Sequence, residues 1–153
     1  MNPLRHTEEA AFSVAGIALR GERCFIARRL PGGPLGGKWE FPGGKGEPGE
    51  GPEAALIREF QEEFSLPIRV GEELGESRFF HRGIERTLRA FLISFDSAED
   101  FTGMVLADHE EWKWAALEEI EGLDFVPSDQ NIFPLLKAYL ESHPQVQGLE
   151  SSP

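Results

Sequence analysis

The sequence predicts an α/β protein, and its order of strands, one helix, more strands and a closing helix fits an α/β/α sandwich with a mixed β-sheet. Three observations point there. Apolar runs at Ala11–Arg20, Arg23–Arg29 and Arg86–Phe95 read as strands. One amphipathic helix follows a long Gly/Pro-rich loop in the middle of the chain. A second helix with an apolar stripe closes the pattern after further strands.

Length and charge bound the answer. At 153 residues the chain is expected to form a single domain over 1–153, with an ordered core from about 10 to 141 and polar tails at both ends. The formal net charge of -12 disfavours duplex nucleic acid or an anionic membrane as a partner. A nucleotide stays compatible, because metal ions can carry positive charge into its site. The single Cys24 lies in an apolar run and reads as a buried, inert thiol. No secretory h-region and no membrane-length apolar run is present, so a cytoplasmic location is expected. A homodimer is compatible with the sequence, which does not specify oligomeric state.

The elements follow in order. Met1–Glu9 is polar and reads as a tail, with His6 exposed. Ala11–Arg20 is a buried strand, Gly21-Glu22 a turn, and Arg23–Arg29 the returning strand. Pro31–Gly37 is a Gly/Pro loop able to lie over a site. Glu76–His81 is the next strand, Gly83 marks a turn, and Arg86–Phe95 follows as a strand. Asp96–Phe101 is a polar loop and Val105–Glu111 reads as loop. Glu111–Ala115 alternates polar and aromatic residues, as an edge strand does. Ala116–Gly122 is a short helix with Leu117 and Ile120 inward. Ser128 is placed to cap a final helix running to Tyr139; Pro134 fits it if the helix begins near Gln130 or Asn131. From His143 the chain is polar again.

The chemistry concentrates between Gly43 and Leu66, GGKGEPGEGPEAALIREFQEEFSL. Pro52 and Glu53 suit a first helical turn. Leu56, Ile57, Phe60 and Phe64 then fall on one arc of the helix, and Glu59, Glu62 and Glu63 on another. Like charges at i, i+3 and i+4 oppose helix formation by roughly 0.2–0.5 kcal/mol per pair. They also sit in the helix half whose dipole favours cations. A hard divalent cation reverses the sign of both effects. The bland alternative is a solvated acidic face; the glycine loop before the helix favours a metal–phosphate site.

Gly44, Glu50, Arg58, Glu59, Phe60, Glu62, Glu63 and Leu66 stand at the spacing of the Nudix box, G-x5-E-x7-R-E-U-x-E-E-x-G-U, with U apolar. The one departure is Ser65 in place of Gly, which costs about 1 kcal/mol if that turn is left-handed. Lys38-Trp39-Glu40-Phe41-Pro42-Gly43-Gly44-Lys45 resembles the MutT-like branch. The resemblance runs from about Ala11 to Tyr139 and is looser outside the box.

The resemblance implies the Nudix-type sandwich and a hydrolase acting on phosphoric anhydride bonds. Its substrate would be a nucleoside triphosphate, its products the monophosphate and pyrophosphate, and its cofactor Mg²⁺, with Mn²⁺ as an alternative. Glu62 and Glu63 are first choices as metal ligands, and Glu59 is either a third ligand or the base that orients water. On the same analogy the Gly43 carbonyl faces the metal. Arg58 holds Glu59 or Glu50, or is only a surface ion-pair partner; Glu50 looks structural. Arg29 touches the nucleotide, while Arg28 reads as a solvated strand end. Lys45 meets phosphate or lies in solvent. Asp108, Glu110 and Glu111, with His109 among them, are candidates for one more acid. Asp129 meets the base edge or caps a helix. Phe79, like Trp39 and Phe41, stacks on a base or belongs to the core. An oxidised purine or a pyrimidine triphosphate is the expected substrate, ahead of a dinucleotide or a nucleotide sugar. The competing readings are a Nudix-fold binding module without turnover and a plain acidic interaction protein.

Overall fold

The structure is a computed structural model that describes residues 12–95, 101 and 103–144. The expected N-terminal tail with His6, the polar loop except its last residue, and the tail beyond 144 lie outside the described residues.

In chain order the elements are β1 (Phe12–Arg20), β2 (Arg23–Arg29), β3 (Trp39–Glu40), β4 (Gly43–Lys45), α1 (Pro52–Phe64), β5 (Ile68–His81), β6 (Ile84–Phe95), β7 (His109–Ala116), α2 (Leu117–Glu121), α3 (Pro127–Gln130) and α4 (Phe133–Ser142). The seven strands make one sheet with the path β3-β2-β1-β6-β5. β1 runs parallel to β6, and every other pair is antiparallel, so the sheet is mixed as expected. β1 and β2 pair only next to their turn, at Leu19↔Cys24 and Arg20↔Arg23. They then part, and β4 takes the first half of β1, at Ser13–Ala15. β7 adds to the far side of β2. The parting of β1 from β2 opens the cleft in which the site lies.

Alternation along the strands makes the two cores. Ala15 and Ile17 of β1, Cys24 and Ile26 of β2, and Leu88 and Ala90 of β6 bury one face against Ile120, Leu136 and Leu140 of α2 and α4. Val14, Ala18, Phe25, Ala27, Phe91 and Ile93 bury the other against Ala55, Leu56, Phe60 and Phe64 of α1. Phe25 centres this second layer, with rings of Phe64, Phe95, Phe101, Trp112 and Trp114 at 5.2–5.8 Å. Cys24 is fully buried, and burial pushes its thiol up to about 12, which makes it inert.

α1 starts as its sequence dictates, with Pro52 in the first turn and Glu53 at the positive end. Ser65 ends it in the left-handed conformation, φ 56 and ψ 39, and donates its N–H to the Gln61 carbonyl at 3.0 Å. The turn therefore keeps its left-handed form without glycine.

Three boundaries differ from expectation. β5 begins at Ile68 rather than Glu76. Irregular pairing between Val70 and Gly75 breaks its alternation, so the sequence hides a strand that β6 pairs from end to end. β7 begins at His109, inside the expected loop, because Arg29 of β2 pairs there. The last helix is two helices. Pro127 rather than a Ser128 cap opens α3, and α4 starts at Phe133, where Pro134 occupies a first-turn position needing no N–H. Among the described residues no helix is long and apolar enough to cross a membrane.

Candidate active site

A cavity of about 650 Å³ lies over β1, β4, β5 and β6, closed on one side by β3 with the loop after β2 and on another by Val126–Asp129. That volume suits a nucleotide-sized ligand.

α1 delivers two carboxylates to it. Phe60 and Phe64 fix the buried face of the helix, and Glu59 and Glu63, about 40° apart around the axis, reach the cavity together. Glu62 lies about 100° from Glu63 and points away. Its side chain is mostly exposed, and its Oε1 accepts from Arg58 Nη1 at 3.1 Å. The structure thus does not bring Glu62 to the cavity.

β4 supplies close backbone. A Cβ on Gly44 would stand 2.5 Å from the Glu59 carboxyl carbon, and one on Gly43 would stand 1.9 Å from the Val14 carbonyl oxygen. Gly43 demands glycine for space, because a Cβ there meets backbone, whereas a Cβ on Gly44 would displace the Glu59 carboxylate. Gly43 and Gly44 both line the cavity.

Arg58 ties these parts together. Its Nε and Nη2 donate to the two Glu50 oxygens at 2.8 and 2.9 Å, a fork on a carboxylate. Nη1 donates to Glu59 Oε1 at 3.0 Å, and Nη2 also to the Lys45 carbonyl at 3.0 Å. The guanidinium beside Glu50 holds that carboxyl below its ordinary range. Of the two roles open to Arg58, it therefore binds both acids, and it joins the helix to β4 as well.

Glu63 is the electrostatic centre. It is buried, and its Oε1 has no hydrogen-bond partner among the described residues. Burial, then the Glu59 hydrogen bond and the charges of Glu40, Glu59 and Asp108, push its pKa up to about 10. Glu40 and His109 complete the group: Glu40, Glu63 and His109 each offer a ligand atom within 4.8 Å of the others. His109 Nε2 and Glu40 Oε2 share a hydrogen bond of 2.7 Å, and the His109 ring stacks on Phe64. Sequence reasoning does not single out Glu40. Its one signal is a charge set between two core aromatics, Trp39 and Phe41.

The remaining candidates separate. Asp108 lines the cavity, whereas Glu110 and Glu111 pair with Arg28 at 3.1 and 2.8 Å. Arg29 lines the cavity and donates to Glu40 Oε1 at 3.2 Å. Phe79 lines it too, partly buried, and Trp39 is a core residue. Asp129 is buried at the cavity wall and caps nothing; its Oδ2 accepts the Phe41 N–H at 2.9 Å. Burial first, then the Glu40 charge, push Asp129 up to about 8.

The model of the NUDIX domain family matches residues 9–136. The chain belongs to the NUDIX family. Its relatives include the 8-oxo-dGTP diphosphatase of Escherichia coli K12, 34% identical over 128 residues that span 82% of this chain and 94% of that protein. The CTP pyrophosphohydrolase of the same organism is 33% identical over 128 residues, 83% of this chain and 89% of the other. Among solved structures, the E. coli ORF135 protein superposes with a TM-score of 0.71 at 29% identity, covering 88% of this chain and 91% of that one. These likenesses place the NUDIX chain in the MutT-like branch, among hydrolases of phosphoric anhydride bonds. NUDIX hydrolases use divalent metals, and the unpartnered Glu63 oxygen, grouped with Glu40 and His109, fits such an ion.

Proposed function

We propose that this NUDIX hydrolase is a Mg²⁺-dependent pyrophosphohydrolase, with Mn²⁺ as an alternative ion. It would cleave a nucleoside triphosphate of the oxidised-purine or pyrimidine type to the monophosphate and pyrophosphate. The observation that carries the reading is Glu63: a buried carboxyl with an orphaned oxygen, facing Glu40, Glu59 and Asp108. Such a group is stable only with a proton or a cation beside it. The names of the diphosphatase and pyrophosphohydrolase relatives support the substrate class.

Glu59 and Glu63 would hold the ion with the Gly43 carbonyl, and Asp108 faces the same space. Glu62 joins them only by leaving Arg58. When bound, Mg²⁺ supplies positive charge against the phosphates and acidifies water. Arg58 keeps the Glu59 carboxylate aimed at the cavity, where it serves as ligand or as the base for water. Asp129 meets the base edge, with Phe79 and Arg29 lining the nucleotide's path. With a net charge of -12, the hydrolase would act in the cytoplasm and bind neither duplex nucleic acid nor an anionic membrane.

A panel of nucleotides with Mg²⁺ and with Mn²⁺, read as pyrophosphate against orthophosphate release, tests this. Pyrophosphate from one triphosphate class is the expected result. No turnover of any nucleotide would leave a NUDIX-fold binding module in its place.

A further inference from the structure

Glu40 and His109 have no part in the reaction proposed above, yet three separate elements bring them together with Glu63. Glu40 comes from the two-residue β3, Glu63 from the last turn of α1, and His109 from the first position of β7. Each presents one ligand atom within 4.8 Å of the other two. Glu63 and His109 are more than nine-tenths buried, at 8% and 3% exposure. Glu63 Oε1 has no partner among the described residues. Arg29 donates to Glu40 Oε1 at 3.2 Å, and Glu40 Oε2 faces His109 Nε2 at 2.7 Å. Stacking on Phe64 fixes the plane of the imidazole, whose Nδ1 has no partner among the described residues. Among the described residues Glu59 and Asp108 do not belong to this group.

We propose that Glu40, Glu63 and His109 form a second cation site, for a transition-metal ion of the Zn²⁺ class, beside the Mg²⁺ position at Glu59. The donor set argues for that class. Mg²⁺ takes oxygen ligands and keeps its waters. An imidazole nitrogen with two carboxylates is a Zn²⁺ ligand set, with the fourth position open. Two carboxylates and a neutral imidazole also match a divalent charge in a place where an unpaired charge is costly. Little movement is needed. Tetrahedral donors around Zn²⁺ stand about 3.4 Å apart, so Glu40 Oε2 and His109 Nε2, now 2.7 Å apart, part by about 0.7 Å. The ring then binds through Nε2 and carries its hydrogen on Nδ1. Glu40 and Glu63 line the cavity, so the open position of the ion faces it. Such an ion ties β3 to α1 and β7 and fixes the Glu63 carboxylate, leaving its other oxygen to Mg²⁺. It is resident, bound before the nucleotide, whereas Mg²⁺ is held partly by the substrate's phosphates. Only Glu63 is shared with the reaction proposed above, so the site stands without that reading.

Calorimetric titration of Zn²⁺ into the metal-free protein, without nucleotide, tests this, with Mg²⁺ titrated alongside. Zn²⁺ should bind at least about tenfold more tightly than Mg²⁺. Glu40→Gln keeps the shape and an acceptor for Arg29 but loses the charge. It and His109→Gln should each weaken Zn²⁺ at least about tenfold. Glu59→Gln, which removes a Mg²⁺ ligand, and His81→Gln, which removes an exposed imidazole, should keep Zn²⁺ affinity within about threefold. Co²⁺ in place of Zn²⁺ adds a spectroscopic readout. The visible band of a four-coordinate site should appear in the wild type and in Glu59→Gln, and be missing in Glu40→Gln and His109→Gln. If His109→Gln does not fold, Glu40→Gln alone decides. No Zn²⁺ binding to the wild type, or an affinity that ignores Glu40→Gln and His109→Gln, overturns the site and leaves the hydrolysis assay untouched. Absence of turnover in that assay would overturn the reaction and leave these titrations standing.

Discussion

Replacing Glu63 by Gln should stabilise the metal-free protein while removing activity, and the stabilisation should depend on pH. An unfolded Glu ionises near 4.5, and the folded carboxyl near 10. Below 4.5 both states hold the proton, and the side chain costs nothing extra. As pH rises from there, the unfolded chain releases a proton that the folded one keeps, so stability falls. By pH 7 the gap spans two and a half pH units. At about 1.4 kcal/mol per unit, the loss reaches about 3.5 kcal/mol at most. Glutamine keeps the shape and does not titrate. Urea denaturation of wild type and Glu63→Gln in EDTA should therefore give curves that meet near about pH 4 and part steadily toward pH 8. Saturating Mg²⁺ should return roughly 2–3 kcal/mol to the wild type and little to the variant. Pyrophosphate release should fall to a small fraction of wild type in the variant. Parallel pH–stability curves would refute the burial argument, and an unchanged turnover rate would remove Glu63 from the ion site.

Arg58→Met should destabilise the fold by about 2 kcal/mol, because Glu50 and Glu59 lose the cation that joins them; denaturation midpoints at constant m-value measure this. It should also lower kcat more than it raises KM, since Glu59 loses its aim. Ser65→Gly should raise stability by about 0.5–1 kcal/mol by relieving the left-handed strain at φ 56, with activity unchanged. Asp129, pushed up to about 8, holds its proton at neutral pH and can donate to a base. KM should therefore rise as pH passes through about 8, and Asp129→Asn should flatten that rise in initial-rate measurements.

What the chain spells out alone is whatever its own local periodicity encodes. α1 is legible because Pro52, Glu53 and the arc through Leu56, Phe60 and Phe64 are all neighbours on one helix. The box spacing marks Glu59 and Glu63 for the same reason. The tertiary structure decided which elements face one another. Glu40 and His109 reach Glu63 only because β3 and β7 both pair with β2. Glu62 leaves the group because Arg58, held by Glu50 from the preceding loop, takes its carboxylate. Asp108 enters and Glu110 and Glu111 turn to Arg28 according to where β7 begins its pairing. Periodicity tells a side chain which way to point from its own backbone. It carries no information about what stands opposite, because that is set by long-range pairing and by the closure of the loops between.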